Sequence, residues 1–172
     1  MSGAAVRELP PGPERDAYLP LLELADDSVA QVRSYYQTGT LFALDADDGS
    51  PMGMILAIPH ADGTVELKAV AVDVQRQGQG VGTVLLHAVL ERLRDAGVRR
   101  VIVGTSTSGI GQLAYYQKAG FRLRRVERDF FTAERGYPEG IEENGIPLRD
   151  MVWMDHDLDD ERRRHGADRQ PT

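Results

Sequence analysis

Apolar residues first recur at helical spacing. From Glu14 to Gln37, Tyr18, Leu21, Leu22, Ala25, Val29 and Val32 fall near a 3.6-residue period, which predicts helix, with Pro20 marking a start or a split. The period then shortens. Leu41–Leu44, Met52–Ile58 and Val65–Val74 have strand length, separated by the turn segments Asp47-Asp48-Gly49-Ser50-Pro51 and Ala61-Asp62-Gly63-Thr64. In the third strand Val70 and Val72 share a face, and Glu66 and Lys68 share its parity, so one end of that face is expected to be polar. Helical spacing returns at Thr83–Ala96, where Leu85, Leu86, Val89, Leu90, Leu93 and Ala96 form an apolar stripe and Gly97 sits where a left-handed cap belongs. Arg99–Gly104 reads as a buried strand, Ile110–Ala119 as a short helix closed by Gly120, Phe121–Val126 and Met151–His156 as strands, and Phe130–Leu148 as a long loop. The order predicts a single α/β domain with a mixed central sheet flanked by helices on both faces. The expected boundaries are a flexible N-terminus over 1–13, a folded domain over 14–158 and a disordered charged tail over 159–172.

Composition narrows the chemistry. The 172 residues suit one domain, and 41% hydrophobic with 27% charged residues is ordinary for a globular protein. The chain has no cysteine, which removes disulfides, thiolate metal sites and a cysteine nucleophile. A net charge of −7 argues against nucleic acid as a partner and favours cationic or amine-bearing substrates. No apolar run has the length of a membrane span, and Met1–Pro13 lacks a signal core, so a cytoplasmic protein is expected. The histidines, His60, His87, His156 and His165, have no metal-ligand spacing and read as surface residues.

The densest signal runs from Val70 to Gly82. A strand leads into a loop with glycine at positions 78, 80 and 82, and the loop leads directly into an amphipathic helix. Glycine lets backbone turn tightly and approach a ligand, and the first amides of a helix lack internal partners at the positive end of its dipole. Together they form an anion site suited to a pyrophosphate. A phosphate-binding P-loop would need Gly-Lys-Ser/Thr, whereas Gly82 is followed by Thr83-Val84. A dinucleotide fingerprint fails too, because the required sixth position is Thr83 or Leu85. Taken alone, the cluster also fits a glycine-rich connection with no ligand.

The arrangement Gln77-x-x-Gly80-x-Gly82 resembles the Gln/Arg-x-x-Gly-x-Gly/Ala signature of the GCN5-related N-acetyltransferases, the GNAT family. Leu67–Asp73 resembles the family's fourth strand, and Tyr116-Gln-Lys-Ala-Gly-Phe121 its Tyr-x-Lys-x-Gly-Phe ending. The likeness covers residues 39–127 well. Ser108-Gly-Ile-Gly-Gln-Leu-Ala, Arg128-Asp-Phe-Phe, Glu143-Asn-Gly-Ile and Arg149-Asp-Met resemble a little-characterised bacterial branch.

The resemblance implies an acetyl-CoA-dependent N-acetyltransferase acting on a primary amine of a small molecule or peptide, by direct attack in a ternary complex. It implies pyrophosphate donors at Gln77, Gly78, Gln79, Gly80, Val81, Gly82 and Thr83. It also implies that the strand before the loop splays from its neighbour at a bulge and offers a pantetheine-pairing edge at Val70, Ala71 and Val72, with the Val70 amide polarising the thioester carbonyl. Tyr116 matches the general acid; without the family match it reads as a half-buried aromatic anchor, and Tyr115 should face elsewhere. Glu66 is the candidate base, and it also fits an exposed strand glutamate paired with Lys68 or Arg100. Asp73 is expected to fix the turn. The family's asparagine before the last helix is replaced here by Ser106, Thr107 and Ser108. Arg128–Leu148 lies where the family builds its acceptor pocket. Asp129, Glu134, Glu139, Glu142 and Glu143, with Phe130, Phe131 and Tyr137, suggest an acidic aromatic lip for a cationic amine, or else a solvated loop whose aromatics pack on the sheet. Asn144 before Gly145 reads as a turn. Homodimers are common in the family. A non-catalytic acyl-CoA sensor is the alternative function, and Tyr116 at the acid position favours the enzyme.

Overall fold

The computed structural model describes residues 5–159. It places β1 (Arg7–Leu9), α1 (Leu19–Ala25), α2 (Val29–Tyr35), β2 (Thr40–Asp45), β3 (Pro51–Pro59), β4 (Thr64–Val72) and α3 (Val81–Asp95) in turn. There follow β5 (Arg100–Ser106), α4 (Ile110–Lys118), β6 (Arg122–Glu127), the small strands β7 (Glu142–Glu143) and β8 (Ile146–Pro147), and β9 (Met151–Asp157). Seven strands form one sheet in the order β1-β2-β3-β4-β5-β9-β6. Only β4 and β5 run parallel within it. The chain is therefore a mixed α/β domain, as the alternating periods predict.

Each face of the sheet buries its own apolar cluster. On one face Leu85, Leu86, Val89, Leu90 and Leu93 of α3 pack on Ile55, Val65, Leu67, Val101 and Val103. On the other, Leu21 and Leu22 of α1 and Val32 and Tyr35 of α2 cover Leu41, Met54, Leu56, Ala69 and Ala71. Both α3 and α4 end in the predicted glycine caps. Val98 N donates to Leu93 O at 2.9 Å past Gly97, and Phe121 N donates to Tyr116 O at 3.0 Å past Gly120. Both glycines have the left-handed φ that this closure needs, +84° and +95°.

The N-terminal third departs from expectation. The helix predicted over 14–37 is a 3-10 turn, Pro13–Tyr18, followed by α1 and α2, with a break at Asp26–Ser28. Pro20 sits in the first turn of α1, where its missing N–H costs nothing. Within the segment expected to be flexible, Arg7–Leu9 pair with Leu41–Ala43. The fully buried Arg15 locks this end down. Its five N–H donors reach the carbonyls of Leu9, Pro10, Tyr36, Thr38 and Gly39. Such a tie spans distant segments and leaves no mark in a local pattern. The tail expected from Asp159 lies, past that residue, outside the described residues, as does His165.

Two irregularities in β4 shape the middle of the sheet. Leu56 faces Ala69 and Ala57 faces Leu67, so Lys68 is an unopposed bulge residue. The bulge reverses the parity. Val65, Leu67 and Val70 pack in one cluster, and Ala69 and Ala71 belong to the other. Glu66 therefore does not share the face of Val70 and Val72, contrary to simple alternation. In addition, β4 and β5 pair only at Thr64–Arg100, Val65–Val101 and Glu66–Ile102. Beyond Glu66 they part, and the sheet opens into a cleft with that residue at its vertex.

Candidate active site

The glycine-rich loop begins where β4 ends, at Val72, two residues short of the predicted strand. Asp73 N donates to Met52 O at 2.9 Å, and the Asp73 carboxylate accepts from Gln75 N at 2.7 Å, turning the chain into a 3-10 turn over Val74–Arg76. Asp73 thus fixes the turn, as its position suggested. Gln77 Nε2 folds back to Val72 O at 3.2 Å, and Gln79 Nε2 to Gln75 O at 2.9 Å. Gly78 and Gly80 have φ of +74° and +81°, and an added β-carbon at either would meet only open space. The α3 ladder opens with Val84 N donating to Gly80 O at 3.0 Å, which leaves the amides of Val81, Gly82 and Thr83 ahead of it. A 15-residue helix aims its positive end at this cup. Positive-φ glycines, open space above them and unpaired amides fit a pyrophosphate.

Gly82 has a different reason to be glycine. A β-carbon there would come within 3.3 Å of Val72 Cγ2 and 3.4 Å of the Tyr115 hydroxyl. That hydroxyl donates to Gly82 O at 2.7 Å, bolting α4 to the first turn of α3. Tyr115, expected only to face away from Tyr116, thus supports the loop.

Tyr116 is 6% exposed and packs edge-on against Tyr115 and Phe121, with ring centroids 5.0 and 5.6 Å away. The Gly120 cap places Phe121 there, which gives the Tyr-x-Lys-x-Gly-Phe spacing a structural reason. Burial, with a smaller contribution from Tyr115, raises the Tyr116 phenol far above an ordinary tyrosine, so it stays protonated near neutrality. Its hydroxyl has no hydrogen-bond partner among the described residues.

On the opposite face of the sheet lies a cavity of about 300 Å³. The α1–α2 turn, β4, β5, β9 and the segment 128–148 wall it. Aromatic walls come from Phe130, Phe131, Tyr137 and Trp153, and carboxylates from Asp26, Asp27, Glu66, Glu142 and Glu143. Partial desolvation raises the Asp27 carboxyl, and the charges of Asp26 and Glu143 raise it further. Lys68, 5.2 Å from the Tyr35 ring centroid, is the one Lys or Arg among the lining residues.

Glu66 is 9% exposed. Its Oε2 lies 2.9 Å from His60 Nε2, and its Oε1 lies 3.6 Å from Lys68 Nζ. The pairing with Lys68 was anticipated and that with His60 was not; Arg100 instead approaches Asp155 at 3.8 Å.

The segment read as a long loop carries the β7–β8 hairpin, turned at Asn144 (φ +56°) and Gly145 (φ +73°). Two positive φ angles make a type I′ turn, the role expected of Asn144. Glu143 Oε2 accepts from Ser106 Oγ at 2.8 Å, and Asn144 Nδ2 donates to Ser108 O at 2.9 Å. Ser106 and Ser108 are therefore committed to pinning the hairpin, and of the hydroxyls offered in place of the family asparagine only Thr107 lies outside this network. Of the predicted acidic lip, Glu142 and Glu143 line the cavity while Asp129, Glu134 and Glu139 do not. Asp26 and Asp27, absent from the sequence reading, line it instead. The aromatics pack on one another, Phe131 to Tyr137 at 4.9 Å and Phe130 to Phe131 at 5.1 Å. His156 is buried at 5% exposure against Phe121, not on the surface as expected, because β9 lies inside the sheet. Among the described residues there is no metal-binding cluster and no helix long and apolar enough to cross a membrane.

The model of the acetyltransferase (GNAT) family matches residues 7–121. The N-acetyltransferase YvbK of Bacillus subtilis is 37% identical over 143 residues, 83% of this chain and 90% of its own. A Bacillus subtilis acetyltransferase crystallised in complex with CoA superposes with a TM-score of 0.78 at 35% identity, covering 89% of this chain and 99% of its own. A GNAT family acetyltransferase from Elizabethkingia anophelis with acetyl-CoA bound gives 0.75 at 32% identity, over 88% and 97%.

Proposed function

Because this chain belongs to the acetyltransferase (GNAT) family, we propose that it moves an acetyl group from acetyl-CoA directly onto a primary amine seated in the acidic aromatic cavity. The observation that carries this reading is the parting of β4 from β5 after Glu66, which puts a free strand edge, the glycine loop and the cavity around one cleft. Acetyl-CoA supplies a thioester whose carbonyl carbon accepts the amine. In this reading the amides from Gln77 to Thr83 hold the diphosphate, and the edge at Val70, Ala71 and Val72 aligns the pantetheine arm. The Val70 amide, just beyond the Lys68 bulge, donates to the thioester oxygen.

An ammonium has no lone pair, so the amine must lose a proton before it attacks. Glu66 lines the cavity and takes that proton directly or through one water. The departing thiolate needs a proton, and Tyr116, kept protonated by burial, is the donor. Carboxylates and aromatic faces around the cavity select an acceptor that carries positive charge, such as a polyamine, an aminosugar or a peptide amine.

The test is thiol release from acetyl-CoA with spermidine, phenethylamine, glucosamine and a free peptide N-terminus. Turnover with amines of this panel, and none with their N-acetylated forms, is expected. Tight CoA binding with no amine consumed would overturn the transfer reading and favour an acyl-CoA sensor.

A further inference from the structure

The glutamate at the cleft vertex must discharge its proton in every cycle, and its own surroundings give it one route. The Glu66 side chain is 11% exposed, whereas that of His60 is 43% exposed. His60 follows β3 in the hairpin and donates its backbone N–H to Thr64 O at 2.8 Å. Ile58 lies opposite Glu66 in the ladder. His60 and Glu66 are therefore diagonal neighbours on one face of the hairpin, and Nε2 reaches Oε2 at 2.9 Å. His60 does not line the acceptor cavity, and Glu66 does. The pair is thus a single hydrogen bond with one end in the cavity and the other in water.

We infer that His60 carries to solvent the proton that Glu66 takes from the acceptor amine, an assignment that rests on the amine-transfer reading above. The ammonium N–H bond breaks and the proton joins the Glu66 carboxylate. The carboxyl O–H bond at Oε2 then breaks and the proton joins Nε2 of neutral His60, in the tautomer that carries its hydrogen on Nδ1. The imidazolium passes a proton to water from its exposed edge, and both residues return to their starting charge. The other groups facing the pair are Lys68 on β4, Asp62 in the hairpin turn and Tyr35 on α2. Lys68 is a donor without a lone pair, so it steadies the carboxylate but cannot relieve it of a proton. Asp62 stabilises the imidazolium once it forms, since the two interact favourably. Tyr35 is a protonated phenol pushed far up by burial and donates to Asp26, which leaves it no part in the transfer.

The experiment uses the whole protein, acetyl-CoA and whichever panel amine the wild type acetylates fastest. His60→Gln can still hydrogen-bond the Glu66 carboxyl through its amide oxygen but cannot take up and release a proton. Its kcat should fall about 10-fold, less than removal of the acid–base group itself, with both KM values within about twofold. Added imidazole should restore most of the lost rate in His60→Gln and in His60→Ala, and leave the wild type unchanged. A His60→Gln rate within about twofold of wild type overturns the inference. So does a loss that raises KM and ignores imidazole, since that marks a structural pair. Failure of the wild type to acetylate any amine overturns the amine reading itself and this inference with it, and is told apart because it appears before any substitution.

Discussion

The Tyr115 hydroxyl of α4 donates to the Gly82 carbonyl in the first turn of α3 at 2.7 Å, 33 residues away in sequence. This bond ties α4 to the segment whose amides are proposed to hold the diphosphate. Tyr115→Phe removes it while keeping the ring against Tyr116. One neutral hydrogen bond is worth about 1 kcal/mol, so CoA should bind about 5-fold more weakly, with kcat at saturating acetyl-CoA little changed. Calorimetric titration with CoA checks this; unaltered affinity would mean that the tie serves stability and not the loop.

Gly80→Val should abolish CoA binding. The φ of +81° strains any L-residue, by roughly 1–2 kcal/mol, and the branched side chain would occupy open space above the cup. Gly49, in the β2–β3 turn, has a φ of +82° and equally open surroundings, which makes Gly49→Val the matched control. Both variants should lose similar stability in urea, and only the Gly80 variant should lose CoA. Parallel loss of affinity in both would reduce the effect to general destabilisation.

Tyr116→Phe tests the acid role proposed for this phenol. With no partner on its hydroxyl among the described residues, the deletion should leave the melting temperature within a few degrees of wild type. The expected fall in kcat is on the order of 100-fold, with CoA affinity retained. Unchanged turnover removes Tyr116 from the mechanism.

The parts of this site that were legible in the sequence are those whose cause is local. Gly78 and Gly80 need their φ angles whatever surrounds them, and Gly120 must turn left-handed for Phe121 to fold beneath Tyr116, so both motifs carry their geometry along the chain. The fold order was equally readable from the change of period between 14 and 104. The family resemblance implied a bulge in this strand, but its place at Lys68 was not legible, because it exists only in the register of β4 against β3, and one unopposed residue overturned the parity assigned to Glu66. Asp26 and Asp27 escaped for a related reason. They lie at a helix break read as continuous helix, and only the packing of α1 and α2 against 128–148 turns them toward the cavity.

Alkaline pH should unfold the protein through its tyrosines. Burial pushes Tyr18 and Tyr137 up to about 12, and Tyr35, Tyr115 and Tyr116 higher still; these are five of the six tyrosines in the chain. In the unfolded chain a phenol titrates near pH 10, roughly. The native state therefore holds more protons than the unfolded state above that point, and stability must fall as pH rises through the folded values. Below about pH 10 this contribution is intact. Melting temperature followed from pH 8 to 12, roughly, with tyrosinate absorbance as a second probe, should show ionisation appearing together with loss of the near-ultraviolet dichroism. Gradual ionisation of all five phenols in a protein that stays folded would sink the prediction.

The β7–β8 hairpin that walls the cavity is held to the loop after β5 by Glu143, and by Asn144 through its bond to Ser108 O. Its Oε2 takes 2.8 Å and 3.5 Å contacts from the Ser106 and Ser108 hydroxyls, and the two serines also reach each other at 2.9 Å. In Glu143→Ala the serines keep their mutual bond, so the loop retains its shape while the hairpin loses its charged tie and is left with the Asn144 bond. A hydrogen bond to a charged group is worth about 1.5–3 kcal/mol, which makes a rise in acceptor KM on the order of 10-fold the expected outcome. Acetyl-CoA KM should not move, because the proposed diphosphate cup lies at α3 and none of its residues is hydrogen-bonded to Glu143. Glu143→Gln retains one acceptor oxygen and should fall between the wild type and the alanine variant. A change in acetyl-CoA KM without one in acceptor KM would move the hairpin to the cofactor side of the cleft and the amine out of this cavity.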